Sequence, residues 1–580
     1  MNAFAFRGLG RVLVAAALAL FAAPIASAHG GLFRGPGGPM PLPPPPPGNP
    51  NAPGGAIAGL SPRAAEISPV PGSAPSLAFS EERWEFWWEF NHDEWVNLRP
   101  TLRTVNPLAG GTPFTPVDGP ARAQVLLPAL IELLRDSDEQ VRSAACYSLA
   151  RLDDPSTLPY LSNAAVGDSS LPVRTHAITA LGLARNPKAV ERLKTTFYDE
   201  HTPDEVRAMA AVALGISGLP EASAVLRDAL AAGFESRLPY PVRTATFYAF
   251  GLTQDPGNAP FLRSLMQAKG LDEVERALVV ESIGRLGDRA ANPILLDALG
   301  SKEMPVRRSA AIALGVVARP EDVDVIKALE KAADDDADSV VRSFAEISLG
   351  RIASNGAPQV VERLRARLKS STARQRSFVA LALGISGYDT ALPDLLAQFR
   401  TEGSTQMRGA LAIAISLLDQ KEAVKELHQA FLEEKDPLLR GYLAYALGRL
   451  GDQEIAKTLK EMVAKEKDPQ LVYWSALGLA LMGDRTITTW LEELYSKGGA
   501  EQITRAGWLH AIGKLGDKAD SAFLIQVATS KTETDLGRAF ATSSLGLLCD
   551  EDRVPRTALF SKDHNYTVNL TFVPELYYLF

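Results

Sequence analysis

Twelve arginines recur at almost equal spacing along this chain: Arg142, Arg174, Arg207, Arg243, Arg276, Arg307, Arg342, Arg376, Arg408, Arg440, Arg505 and Arg538. A row of guanidinium groups could track an anionic polymer. Alternatively, each planar fork could bridge two acceptors and fix one segment against the next. Acids stand three to six places before most of them: Asp138, Asp168, Asp204, Asp272, Glu303, Asp338, Asp436, Glu501 and Asp535. That spacing favours a structural ladder, in which an exposed pair contributes only about 0.2–1 kcal/mol but sets relative orientation.

A second group of residues is aromatic. Trp84, Trp87, Trp88 and Trp95 place four of the seven tryptophans near one face of a short helix. Ser80 can cap it, and Glu81 and Glu82 suit its positive end. Such a face is either a cap sealing the first structural unit or a platform for a sugar or peptide. The densest acidic run, Asp334, Asp335, Asp336 and Asp338, fails as a calcium loop. That loop needs Gly at its sixth position and Glu at its twelfth, where Ser339 and Ala345 stand, so the run reads as a solvated turn. His92, His176, His201, His428, His510 and His564 have no metal-ligand spacing, and His29 has no supporting ligand beside it. There is no phosphate loop, nucleophile elbow or zincin helix, and Ser386 merely ends a helix. No catalytic, cofactor-binding or metal residue is expected, and the protein is read as a non-enzyme.

The elements that must carry these residues follow from a repeat. Val173-Arg174 leads to Ala180-Leu181-Gly182, Val206-Arg207 to Ala213-Leu214-Gly215, and Val306-Arg307 to Ala313-Leu314-Gly315. The final small residue gives the series Ala150, Gly182, Gly215, Gly251, Gly284, Gly315, Gly350, Gly384, Ser416, Gly448, Ala480, Gly513 and Gly546, thirteen units averaging about 33 residues. In each unit the preceding residue is Leu, Ile or Phe, and the one before that is Ala, Ser or Gly. Positions 306, 310, 313, 314 and 317 share one helical face, so each unit ends in an apolar helix whose small residues admit a close neighbour. The stretch before it supplies a partner helix, as in Pro128–Leu134 or Ile294–Leu299. Gly287-Asp288, Gly451-Asp452, Gly483-Asp484 and Gly516-Asp517 stop one helix and cap the next. One hairpin cannot bury its face alone, so stability must come from stacking.

This pattern resembles the HEAT repeat, in the short form first named from phycobilin lyases, over residues 120–550. The resemblance implies an all-α, right-handed α-solenoid of about 13 helical hairpins. Its use of Arg–acid pairs to tie one repeat to the next supports the ladder. It says little about function, because the fold serves scaffolds, adaptors, inhibitors and a few enzymes.

The ends read differently. Arg7 and Arg11 precede the apolar run Val12–Ala23 and the small residues Ala26-Ser27-Ala28, the grammar of a cleavable export signal over 1–28. Residues 29–78 hold 14 Pro and 10 Gly and form a disordered spacer. The aromatic segment 79–119 is the N-terminal cap, and 551–580 is a second cap over unit thirteen, β-prone through Tyr566–Val573. The block containing the tryptophans looks like segments ahead of HEAT-like arrays in other exported bacterial proteins.

Lys and Arg total 60 against 68 Asp and Glu, a formal charge of −8, which argues against nucleic acid as a partner. Cys146 and Cys549 belong to the first and last units. In an open solenoid they would lie on the order of 100 Å apart, so free thiols are expected. These readings converge on an exported, non-catalytic scaffold in the bacterial periplasm, envelope or medium. It takes protein partners on the concave face made by the second helices and meets the membrane only through its signal. The alternatives are a chromophore-handling or lyase-type HEAT-like enzyme, and glycan or peptide binding by the tryptophan helix.

Overall fold

The structure, a computed structural model, describes residues 82–107, 112–231, 238–465, 469–552 and 554–568. The signal 1–28, the spacer 29–78 and the tail beyond 568 lie outside the described residues. No strand occurs among the described residues, and Tyr566–Val568, expected to be β, is turn.

The described residues form thirteen helical hairpins, each an outer helix followed by an inner one. In hairpin seven the outer helix is Val323–Asp335 and the inner helix Ser339–Ser354. The outer helix is amphipathic and buries one stripe, Val325, Ile326, Leu329, Ala332 and Ala333. The inner helix is covered on nearly every side, by its own outer helix, by two neighbouring inner helices and by material within, which is why it is apolar around most of its girth. The acids before the inner helices act first as caps. Asp138 accepts from the backbone N–H of Gln140 and Val141, Asp338 from Val341, and Asp436 from Leu439. Asp272 and Glu275 form a reciprocal capping box.

The small residues of the repeat are explained by the step between inner helices. A Cβ built on Gly182 would lie 2.7 Å from Ala213 Cα. Two places before its anchor, a serine in several hairpins donates to a carbonyl of the preceding inner helix: Ser282 to Phe247 at 2.8 Å, Ser348 to Ala311 at 2.7 Å and Ser544 to Leu509 at 2.8 Å.

The same step occurs between the last hairpin and the first. Ser148 donates to Thr542 O at 2.7 Å, in the register of the other three serines, and a Cβ on Gly546 would lie 2.7 Å from Ser148 Cα. The inner helix of hairpin thirteen, Asp535–Leu547, packs on that of hairpin one, Glu139–Arg151, as any neighbours in the series do. The solenoid therefore closes into a ring of thirteen inner helices sheathed by thirteen outer ones. Each inner helix is entered by the same kind of turn, so all run in one direction. The ring has a start face, where inner helices begin, and an end face, where they finish.

Closure corrects two expectations. A closed ring has no exposed terminal repeat, so the described parts of 79–119 and 551–580 are not end caps. Cys146 and Cys549 are both free and buried, but they sit in adjacent hairpins rather than at opposite ends of an open array. What separates them is register. Ser148 is level with Gly546, so the two cysteines are offset by five residues, about 7.5 Å along the helix axes, beyond the reach of a disulfide. Burial pushes the Cys549 thiol up to about 12 and the Cys146 thiol higher still.

Candidate functional site

Inside the ring lie the chain's own ends. The helix Trp84–Asn91 starts at the start face, where Glu82 accepts from Ser339 Oγ at 2.6 Å and pairs with Arg374. The indole N–H of Trp84 donates to Gln406 O at 3.0 Å, and its ring lies 5.0 Å from that of Tyr442. Trp88 stacks with Trp95 at 6.2 Å, Trp87 packs against it tilted at 5.5 Å, and Arg351 lies 5.2 Å over the Trp95 ring. The segment leaves through the end face. There Arg99 donates to Gly513 O and Gly516 O, both at 2.9 Å, and to Leu547 O, satisfying carbonyls where inner helices twelve and thirteen end. Residues 105–107 and 112–118 then lie over the end face, with Lys518 N–H donating to Thr115 O at 2.9 Å and its amine 2.7 Å from Asp118.

The C-terminal segment runs the other way. Arg556 forms a bidentate pair with Asp153 at 2.8 and 2.9 Å on the end face. Tyr248 donates to Phe560 O, Arg351 pairs with Asp563, and His564 Nδ1 lies 2.9 Å from Glu281. Asn565 reaches the start face, donating to Pro305 O at 3.1 Å and Ser309 Oγ at 3.0 Å. The two segments touch through Asn91 and Asp563, and through Phe86 and Tyr566, 4.6 Å between centroids. Trp84, Trp87 and Trp88 are 2, 4 and 0% exposed and present no open face to a ligand. The concave wall expected to hold a partner is covered by the chain itself.

The clasp on the C-terminal segment is ionic. Burial alone would raise the carboxyl of Asp563, but Arg351 and Lys562 outweigh it and hold it below the usual range. At Glu281, burial is likewise outweighed by His564 and Arg285. A carboxylate depressed in the folded state contributes stability above its unfolded value and loses it as pH falls through the folded one. Amide protection over 556–568 is therefore expected to be full at neutral pH and to fall away below about pH 4. Exchange at pH 3 and pH 7 checks this; an unchanged segment at pH 3 refutes an ionic clasp.

The arginine column lies at the start of the inner helices, and most of its members reach the next hairpin's turn. Arg142 grips Asp168 at 2.8 and 2.9 Å, Arg276 grips Glu303 at 2.8 and 3.0 Å, and Arg307 grips Asp336 at 2.9 and 3.1 Å. Arg243 pairs with Glu275, Arg376 with Glu402 at 3.6 Å, Arg408 with Glu434 at 2.9 Å and Arg505 with Glu533 at 3.1 Å. Arg174 and Arg342 bond backbone carbonyls at Asp168 and Asp336, Arg207 bonds Phe197 O, and Arg440 lies over Phe431. Arg538 pairs with Asp136, so the ladder crosses the seam. The partner is thus usually an acid one repeat further on, not the one preceding the arginine.

A second ladder in the outer layer escaped the sequence reading. Twelve places after four of the anchors, a basic outer-helix residue faces the turn aspartate of the next hairpin: Arg227 lies within 4.0 Å of Asp255, Arg263 pairs with Asp288, Lys460 with Asp484 at 2.6 Å, and His428 with Asp452 at 2.6 Å. Hairpin twelve carries the opposite charge at this position, where Glu492 faces Asp520. Burial and this neighbour push Glu492 up to about 8, and burial first of all raises Asp520 as well. Glu492→Lys is expected to stabilise the protein by about 1 kcal/mol at pH 8, a rise of about a degree or two in melting temperature. Because a raised carboxyl loses stability as pH climbs, the gain grows with pH and shrinks below about pH 5. A variant melting lower at pH 8 overturns this reading.

Comparison with known proteins follows from this geometry. The family description "HEAT repeats" matches residues 127–204, 163–238, 259–350 and 392–480, just over half of the chain. The chain belongs to the HEAT-repeat family. Among solved structures, this HEAT-repeat chain is similar to human deoxyhypusine hydroxylase in complex with glycerol, at 20% identity over 46% of this chain and 97% of that one, TM-score 0.22. It is similar to the CpcE–CpcF complex of phycocyanin lyase from Nostoc sp. PCC7120, at 20% identity over 40% and 91%, TM-score 0.29. Importin beta matches at 15% identity over 74% and 67%, TM-score 0.34. At these identities the likenesses show the fold alone. No curated protein sequence matches the chain.

Proposed function

We propose that this HEAT-repeat ring is a non-catalytic binding protein that works after export and holds a protein partner on its start face. The observation that carries this is the distribution of exposed apolar side chains. Among the described residues, seven of the ten large ones lie at the turns between outer and inner helices: Val166, Leu171, Tyr198, Tyr240, Met304, Leu432 and Ile503. Val166 is 62% exposed and Leu432 54%. Apolar side chains collected on one rim mark an interaction surface more than scattered ones do. Four of them, on hairpins two to four, form an arc across three consecutive repeats. Glu200, Glu205, Asp272 and Glu273 stand beside this arc, so the partner it suits is basic as well as apolar.

Crosslinking mass spectrometry on the envelope fraction tests this. Crosslinks to one partner should concentrate on the turns that begin inner helices two to six. The triple substitution Val166→Glu, Tyr198→Glu, Tyr240→Glu should abolish them without changing the melting temperature. Partner crosslinks on the end face or outer helices, unaffected by the triple substitution, refute the proposal. Retention of the chain in the cytoplasm refutes the exported part.

A further inference from the structure

The step of the outer ladder between hairpins ten and eleven is built from different chemistry. Its usual members are a lysine or arginine and an aspartate, which close the contact by charge: Arg263 with Asp288, Lys460 with Asp484, and Arg227 within 4.0 Å of Asp255. Between hairpins ten and eleven the basic member is His428, on the outer helix Val424–Glu433, with Nδ1 2.6 Å from Asp452 Oδ2. Two places beyond the aspartate, the corresponding turns carry Gly257, Ala290 and Thr486, whereas this one carries Glu454. One ligand atom from each of His428, Asp452 and Glu454 lies within 4.8 Å of the others. A lysine or arginine brings a charge but no free lone pair. An imidazole brings a lone pair, and Glu454 adds a second carboxylate.

We infer that His428, Asp452 and Glu454 bind a divalent transition-metal cation of the Zn2+ or Mn2+ class, clamping outer helix ten to the turn that begins hairpin eleven. One nitrogen and two carboxylate oxygens suit such an ion and do not suit Ca2+ or Mg2+, which take oxygen ligands throughout. Ligand bonds of about 2.0–2.2 Å place donor atoms around one ion at roughly 3–4 Å from each other, so the set needs only to rotate side chains. Asp452 is the fixed member. It is 6% exposed, and its Oδ1 accepts from Glu454 N–H at 3.2 Å at the start of a short helical turn. Glu454 is exposed and free to turn inward, and His428 is 21% exposed, so an ion has a path in and room for water as a further ligand.

The clamp is tested on the full chain after dialysis against EDTA. Titration with ZnCl2 and with MnCl2 should show one saturable site per chain for at least one of them, and none for CaCl2 at the same concentrations. His428→Gln keeps an amide that can donate to Asp452, preserving the tie while removing the imidazole ligand, and should abolish binding. Glu454→Gln should weaken it at least about tenfold. His29→Gln, at the expected mature N-terminus, should leave it unchanged. In the parent chain, bound metal should slow amide exchange in Val424–Glu433 and Ala456–Lys465 and raise the melting temperature. Absence of saturable binding overturns the inference. So does stoichiometric binding that survives both His428→Gln and Glu454→Gln, or that disappears with His29→Gln.

Discussion

Gly546→Leu opens the ring. The glycine leaves no space for a side chain, since a Cβ would meet Ser148 Cα, Cβ and Oγ at 2.7–3.0 Å, two of these atoms belonging to a rigid helix. Overfilling a packed contact costs about 1–3 kcal/mol. Here it also pulls Asp136 away from Arg538, whose guanidinium is 4% exposed as a residue and would keep its charge in a dry site. Breaking such a pair costs about 3–5 kcal/mol. The sum is comparable with the whole stability of an ordinary domain. The expected result is fast amide exchange appearing together in Glu139–Arg151 and Asp535–Leu547, almost four hundred residues apart in sequence, with a larger radius of gyration in solution scattering. In an open solenoid, a change in hairpin thirteen would leave hairpin one untouched. Undisturbed protection over Glu139–Arg151 would therefore show that the seam does not form.

Removing the aromatic segment has an effect of similar size in a different place. Trp84, Trp87, Trp88 and Phe90 are buried within the ring. Each ring taken from water is worth about 1.5–3 kcal/mol, about 6–12 kcal/mol for the four. Arg99 adds three carbonyls that would lose their donor. A chain lacking 1–107 should lose protection in the inner helices that face the segment, those of hairpins seven to thirteen, and should bind a hydrophobic dye. If the segment merely sealed the first repeat, only hairpins one and two would loosen. Loosening confined to those two would sink the account of the filled lumen.

The hairpins were legible because their cause is local. A small residue every 33 or so positions, a leucine-type residue before it and, in four repeats, a Gly-Asp turn after it specify two helices and the step between them. Closure is a property of the sum. Thirteen hairpins close when each turns by roughly 28° on average, and a few degrees less per step leaves a spiral with two ends. No single contact records that difference. One signal was nevertheless present: Ala144, Ala145 and Leu149 in hairpin one and Ala539, Ala541 and Leu545 in hairpin thirteen are as apolar as any interior repeat, whereas terminal repeats need a polar outer face. The tryptophans announced a buried helix without saying against what, because Gln406, Tyr442 and Tyr445 lie more than three hundred residues away. His428 showed no ligand spacing for the same reason, its companions lying 24 and 26 positions on, across a turn between repeats.

The N-terminal helix passes through a hoop that its own chain completes last. During synthesis it emerges first, and the sockets for Trp84, Trp88 and Arg99 belong to hairpins nine to thirteen. At about 5–20 residues per second, roughly 440 further residues take on the order of 20–90 s. For that interval a helix carrying three tryptophans has nowhere to bury them. The ribosome or a chaperone must keep it from other chains until the thirteenth hairpin arrives. Once hairpin thirteen docks on hairpin one, the helix is encircled, and drawing it out again requires the hoop to part.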